Sequence, residues 1–230
     1  MQVVTPFDLV EMFPETQRLI FVGNAPSLKD SRLGSWIDTH DVVVRFNACP
    51  LAGFASDVGT RTDILVTNPY PENRPPMLDG SSARLVLVIA PETRRGDRSA
   101  FANWVGDHAV LFTYTPDLVG VDGVDHRRGL TTGTYAVQLL WRLLRPARMA
   151  CTGFTMFLDD TAAHYWRSAT PDGLQRHEIE AEAKVFIQVL NSVRSRLEVT
   201  EEVAWVSRRI GIPLNPAVRV IELPADRWRQ

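Results

Sequence analysis

The sequence predicts an α/β protein built on an open, doubly wound and mostly parallel sheet flanked by helices. Two observations carry this. Short apolar, β-branched runs recur along the chain with turn residues around them. Runs that are apolar on both faces fit buried parallel strands better than half-exposed ones. Between these runs lie segments of helical periodicity, and alternation of the two is the mark of βαβ winding.

In chain order the predicted strands are Arg18–Gly23 (RLIFVG), Asp41–Asn47 (DVVVRFN), Asp63–Thr67 (DILVT), Arg84–Ala90 (RLVLVIA), Ala109–Thr113 (AVLFT) and Met149–Phe154 (MACTGF). Val218–Leu223 (VRVIEL) is a further strand near the end. Thr134–Leu144 (TYAVQLLWRLL) sets Tyr135, Leu139, Leu140 and Leu143 on one helical stripe. Leu174–Leu197 reads as one long amphipathic helix with Ile179, Phe186, Val189 and Leu190 inward. Asn68–Ser82 is a Pro-rich loop of unusual length, either on the substrate side or disordered.

The length of 230 residues suits one domain, 1–230. Apolar residues make up 45%, charged residues 23%, and the net charge is -2, which excludes a disordered chain and argues against a dedicated nucleic-acid binder. Cys49 and Cys151 are too few for a disulfide framework. The first residues carry no basic, apolar leader, and Leu85–Pro91, the longest apolar run, is far short of a membrane span. The expectation is a cytoplasmic protein. Of 25 basic residues only Lys29 and Lys184 are lysine, which points to a high-GC, bacterial coding sequence.

The chemistry starts where the first strand ends. RLIFVG runs into Asn24-Ala25-Pro26-Ser27-Leu28 with Gly23 at the turn. In an open parallel sheet, ligands bind beyond the carboxyl ends of the strands. Neither G-x-G-x-x-G nor G-x-x-x-x-G-K-[ST] is present, which removes the main support for a dinucleotide or P-loop site. Asn24 either reads a base, ribose or phosphate, or caps the turn. Asn47, at the end of the second strand, would bring a second amide into the same crevice. Asp57 and Arg61 read as a structural pair. Asp159-Asp160 reads as a solvated loop, and Asp122, Asp125 and His126 fall at an exposed turn beside Gly120 and Gly123, so no metal site is expected.

Taken together, VGNAPSLKDSRLGSWIDTHDVVVRFNACPLAGFASDVGTRTD resembles the large sialyl motif of glycosyltransferase family 29, the sialyltransferases. The family's other motifs follow in order. Leu130-Thr131-Thr132-Gly133-Thr134 opens a helix, and Gly153-Phe154 closes the next strand. His164-Tyr165-Trp166 matches the aromatic triplet, and His177 with Glu182 matches His, four residues, Glu. The tail after Leu197 carries none of them.

The resemblance implies a Rossmann-like, variant GT-A sheet. It implies an inverting, metal-independent transfer of a 2-keto acid sugar, sialic acid or 3-deoxy-manno-octulosonic acid (Kdo), from its CMP donor to a glycan hydroxyl. No cofactor is needed beyond the donor. His177 is the implied base, suited by an unperturbed pKa of about 6.5 and by a helix start that favours neutral imidazole. His164 is the implied donor to the departing phosphate. Asn24, Ser27, Asn47, Thr131, Thr132, Gly133, Gly153 and Phe154 are implied in CMP binding, with Tyr165 and Trp166 walling the site. A capping role for Thr131 or Thr132 is equally natural, and core packing for Tyr165 or Trp166 is compatible with a site role.

The sequence also departs from the family. It shows no anchor, and Leu19 stands where the family's first disulfide cysteine falls, so no disulfide is carried over. Arg167 follows the triplet where an acidic residue is common. The rival readings are a non-catalytic nucleotide-binding module of the same fold and a pyrophosphokinase using a triphosphate and Mg²⁺. His164 and His177 favour the transferase over both.

Overall fold

The computed structural model describes residues 1–68, 75, 83–89, 98–113, 130–159, 163–167 and 178–223. The strands are β1 (Gln2–Val3), β2 (Arg18–Val22), β3 (Val42–Phe46), β4 (Ile64–Thr67), β5 (Leu85–Ile89), β6 (Ala109–Thr113), β7 (Arg148–Thr152), β8 (Arg196–Thr200) and β9 (Arg219–Ile221). The helices are α1 (Pro6–Met12), α2 (Gly34–Asp38), α3 (Ala55–Val58), α4 (Arg98–Val105), α5 (Thr132–Leu144), α6 (Ile179–Ser192) and α7 (Glu201–Arg209).

The strands form one parallel sheet in the order β1-β6-β5-β4-β3-β2-β7-β8-β9. From β2 the chain winds outward through β3, β4, β5 and β6. It then returns to the other side of β2 as β7 and winds outward again. The winding therefore reverses between β2 and β7, and the carboxyl ends of those strands are where such a sheet opens a crevice.

Both faces are covered, which is why the strands read as continuous apolar runs. Leu19 and Phe21 of β2 join one core with Val44, Met149, Phe186 and Leu197. Ile20 and Val22 face the other way, into a core with Ile37, Val43, Val58 and Tyr165. Within β3, Arg45 is 1% exposed. Its Nε donates to Arg61 O at 2.8 Å and a terminal nitrogen donates to Val58 O, so a buried cation holds the loop that precedes β4.

The predicted helix Leu174–Leu197 is two elements in its described part. α6 stops at Ser192, Val193 turns extended, and Arg196–Thr200 is β8, paired with β7. Leu197 and Val199 alternate with half-exposed Glu198, a period of two that the preceding helical stripe hides in the sequence. Leu174 to His177 lie outside the described residues, as does the Pro-rich loop apart from Asn68 and Pro75.

Asp57 and Arg61 are structural, but they do not bond to each other. The Asp57 carboxylate accepts from Asp30 N at 2.9 Å and Arg32 N at 3.0 Å. Both residues sit at positive φ, 62° and 57°, a conformation that non-glycine residues hold only with support. Arg61 donates to the carbonyls of Asp38, His40 and Asp41 and to Asp63 Oδ2. Together they fasten the loop after β2 to the start of β4. Among the described residues no helix is long and apolar enough to cross a membrane.

Removing the Asp57 carboxylate leaves two loop amides without their acceptor. Asp57→Ala is expected to lower the unfolding free energy by about 1–3 kcal/mol with an unchanged m value, read by urea titration. An unmoved midpoint would show that the loop stands without it.

Candidate active site

The site is built on a close approach of two turns. Gly23 N donates to Thr152 O at 2.8 Å, and Ala25 N donates to Gly153 O at 3.0 Å. The turn after β2 thus runs against the turn after β7. A Cβ on Gly23 would fall 2.1 Å from Gly153 O. Gly153 has φ +73°, and a Cβ there would fall 2.6 Å from Leu28 Cδ1. Only glycine fits at either place.

Asn24 stands at the centre of this junction. Its Nδ2 donates to Phe46 O at 2.8 Å, which ties it to the end of β3 and fixes the orientation of the amide. Its backbone oxygen accepts from Tyr165 N at 3.1 Å, which ties it to the His164–Trp166 turn. Its Oδ1 is buried with no hydrogen-bond partner among the described residues. Asn47 is similar. It has φ +53°, its backbone N–H donates to Val66 O at 2.8 Å, and its Oδ1 is buried and unpartnered. Ser27 Oγ, in the short turn Pro26–Leu28, and His164 Nδ1 are buried and unpartnered too.

Buried polar atoms without partners are uncommon and call for a reason. Here Asn24, Ser27, Asn47 and His164 gather around the carboxyl ends of β2 and β3 and the turn bonded to them. A polar ligand would satisfy them. Trp141 Nε1 is likewise unpartnered but lies in the last turn of α5, away from that helix's start.

His164 N donates to Arg167 O at 2.9 Å and Arg167 N returns to His164 O at 3.1 Å, closing a tight turn. The imidazole stacks on Trp166 at 4.8 Å between centroids, with Phe157 at 6.1 Å. Burial holds its pKa below the ordinary histidine value, and the Arg167 charge adds to this. Nearby carbonyls oppose the shift. His164 is therefore largely neutral near pH 7, a form in which one ring nitrogen carries a proton and the other is an acceptor.

Tyr165 packs into the core. It is 4% exposed, its hydroxyl donates to Pro50 O at 2.8 Å, and its ring meets Phe54 at 5.1 Å. Phe154 is also a core residue, stacked on Phe186 at 5.1 Å and set edge-on to Phe46 at 5.5 Å. A Cβ on Gly133 would lie 3.1 Å from the Phe154 ring, so this glycine lets the first turn of α5 sit against the end of β7.

Thr131 is the N-cap of α5, yet its side chain makes no cap hydrogen bond. The buried Glu182 carboxylate reaches across from α6 instead. Its Oε1 accepts from Thr131 N at 2.5 Å and from Thr134 Oγ1 at 3.2 Å. The acidic end of the last motif thus anchors the start of the small one. His177 lies outside the described residues, as do Asp122, Asp125, His126 and Asp160. Asp159 accepts from Thr155 Oγ1 at 2.9 Å and so closes a local turn. No group of three or more His, Cys, Asp or Glu side chains arranged for a metal occurs among the described residues. Cys49 and Cys151 are free thiols, and burial pushes Cys49 up to about 11 and Cys151 further, so neither is poised as a nucleophile.

Phe157 was not marked by the sequence. Its only cue is a backbone property: Met156 and Phe157 stand in succession at φ +53° and +56° beside His164. Consecutive non-glycine residues in that region store strain, a common feature of functional turns.

Residues 12–88 match the family model described as Glycosyltransferase family 29 (sialyltransferase). A 76-residue stretch is 37% identical to the CMP-N-acetylneuraminate-beta-galactosamide-alpha-2,3-sialyltransferase 4 of Rattus norvegicus, covering 33% of this chain and 23% of the relative. Another of 56 residues is 48% identical to the CMP-N-acetylneuraminate-beta-1,4-galactoside alpha-2,3-sialyltransferase of Homo sapiens, covering 24% and 14%. The chain thus aligns with less than a quarter of the length of these relatives. The fold resembles a mammalian sialyltransferase crystallised with Gal-beta-1-3GalNAc-ortho-nitrophenol, with a TM-score of 0.57 and 22% identity over 79% of this chain and 68% of that one.

Two outcomes follow from the geometry. Gly23→Ala is expected to destabilise the chain by more than about 2 kcal/mol or to prevent folding, since the added methyl overlaps backbone; a normally stable variant would refute the close approach. The second concerns pH. His164 has a folded pKa below its unfolded value of about 6.5, so between the two the unfolded chain binds more protons and stability rises with pH. Its contribution is complete above about pH 6.5 and is lost as the pH falls through the folded value. His164→Gln should therefore shrink the drop in urea midpoint between pH 7 and pH 5; an unchanged or steeper drop would contradict a neutral buried imidazole.

Proposed function

Taking residues 12–88 as a glycosyltransferase family 29 segment, we propose that the chain is an inverting, metal-independent glycosyltransferase that moves sialic acid from its CMP donor to a glycan hydroxyl. The observation that carries this is the group of buried, unpartnered atoms Asn24 Oδ1, Ser27 Oγ, Asn47 Oδ1 and His164 Nδ1 at the crevice of the sheet. Their hydrogen-bonding capacity suits the cytosine, ribose and phosphate of CMP. The two amides and the serine receive the nucleotide.

The acceptor oxygen attacks the anomeric carbon, the bond from that carbon to the phosphate oxygen breaks, and CMP departs. His177 takes the hydroxyl proton. Its place in the motif is supported by Glu182, which lies five residues on and anchors the small-motif helix. The departing phosphate is a monoester, and neutral donors suffice for it: a ring N–H of His164 and the first-turn amides of α5, which the Thr131 side chain leaves uncapped.

The relatives' names support sialic acid as the donor sugar over Kdo, and a galactoside as the acceptor. The reaction would draw on a cytoplasmic pool of donor.

The test is CMP release from CMP-N-acetylneuraminic acid and, separately, from CMP-Kdo, each with and without β-galactosides. Acceptor-stimulated release from the sialic acid donor, unaffected by EDTA, is the expected result. His177→Ala should abolish transfer while CMP affinity stays within a few-fold, and Asn24→Ala should weaken CMP binding at least tenfold. CMP binding without release from either donor would leave a nucleotide-binding module. No CMP binding at all would sink the proposal.

A further inference from the structure

Glu202 belongs to none of the sequence motifs, and it lies beyond the segment matched to the family. It is the second residue of α7, and its side chain is 0% exposed. All the hydrogen bonds it accepts fall on Oε1: from Thr200 Oγ1 at 2.5 Å, Gly153 N at 2.6 Å and Thr152 Oγ1 at 3.4 Å. Oε2 is buried with no hydrogen-bond partner among the described residues.

The reason lies in the ladder between β7 and β8. Cys151 pairs with Val199, so two residues on Gly153 faces Glu201. There the chain has already turned into α7, and the strand can no longer supply a carbonyl to the Gly153 amide. The Glu202 carboxyl takes that place. On its other side the same Thr152–Gly153 peptide offers its carbonyl to Gly23 N, and the next carbonyl accepts from Ala25 N. One peptide plane is therefore held from both edges, by Glu202 from β8's side and by the Asn24 turn from β2's side. Thr200, a natural helix cap, makes no cap bond and turns its hydroxyl to Glu202 instead.

We infer that Glu202 is a positioning residue for the nucleotide site: by standing in for the missing strand carbonyl it fixes the Gly153 turn, and through it the Gly23–Asn24 turn that receives CMP. This rests on the functional reading above. Glu202 acts through the backbone and does not touch the ligand. Burial raises the pKa of this carboxyl, and the hydrogen bonds it accepts from Thr200, Gly153 and Thr152 oppose the shift.

The experiment measures CMP affinity by calorimetry, steady-state kinetics with CMP-N-acetylneuraminic acid, and hydrogen exchange at the Gly153 amide. All are read well below the unfolding midpoint, so that a general loss of stability does not enter. Glu202→Ala should weaken CMP binding and raise KM about tenfold, with kcat changed less than threefold, and the Gly153 amide should lose its protection. Glu202→Gln, which keeps the acceptor oxygen, should recover most of the affinity and the protection. If Glu202→Ala fails to fold, Glu202→Asp carries the test: its carboxyl is withdrawn by one methylene, so it should shift affinity and exchange in the same direction. A folded Glu202→Ala or Glu202→Asp with wild-type CMP affinity and a protected Gly153 would overturn the inference. If the wild type binds no CMP, the functional reading fails by itself, and exchange at Gly153 still decides whether Glu202 holds the turn.

Discussion

The backbone contact between the turns after β2 and β7 is the constraint on which the rest depends. Two adjacent parallel strands must each end in a turn, and here the turns share hydrogen bonds instead of diverging. No side chain fits between them, which is why Gly23 and Gly153 face each other. Everything polar at the site hangs from that contact. Asn24 is placed by it, the His164–Trp166 turn is bonded to Asn24, and Phe154 leaves it for the core beneath α5. A shift of the turns by an ångström would carry the whole group with it.

A second regularity is the use of acidic side chains where a backbone amide has lost its ladder or helix partner. Asp57 serves Asp30 and Arg32, Asp63 serves Val43, Glu182 serves Thr131, and Glu202 serves Gly153. Each is buried. A buried amide without an acceptor costs more than a hydrogen bond returns, so the ends of elements in a tightly wound sheet must be served by something. Against this thorough satisfaction, the open valences of Asn24, Ser27, Asn47 and His164 stand out. Among the described residues around the crevice these four lack hydrogen-bond partners, as does Glu202 Oε2.

What could be read from the sequence follows the same division. Strands buried on both faces declare themselves by composition alone, so β2 through β7 and the doubly wound sheet were legible, as was α5. β8 was not, because its alternation runs on from the apolar stripe of α6 and the break at Val193 has no glycine or proline to mark it. α1 carried a readable signal in the Thr5–Asp8 capping box, too short to be distinguished from a turn. Among candidate site residues, Asn24 and Asn47 could be picked out because their strands could. Core packing of Tyr165 is one of the readings the sequence leaves open, whereas that of Phe154 was not legible, since an aromatic beside a site and one beneath it look alike in a string of residues. Glu202 was out of reach for another reason: its role exists only through the pairing of β8 with β7.

The two kinds of likeness bear on different parts of the molecule. The stretch matched to the family supplies Asn24, Ser27 and Asn47, three of the buried polar side chains left without partners at the crevice. Thr131 to Gly133, Gly153, His164 and Glu182 come from beyond it, where the resemblance is one of fold and motif order. Neither half is a site alone. The sheet reverses between them, and the reversal places the end of β2 beside the end of β7 although the paired residues, Arg18↔Arg148 through Val22↔Thr152, stand 130 positions apart in the sequence. Motifs distant in sequence thus meet because the topology requires it, and the order in which they occur along the chain is the order in which a doubly wound sheet lays them around one crevice. A chain that kept the motifs but lost the close glycine contact would hold the same residues and no common site.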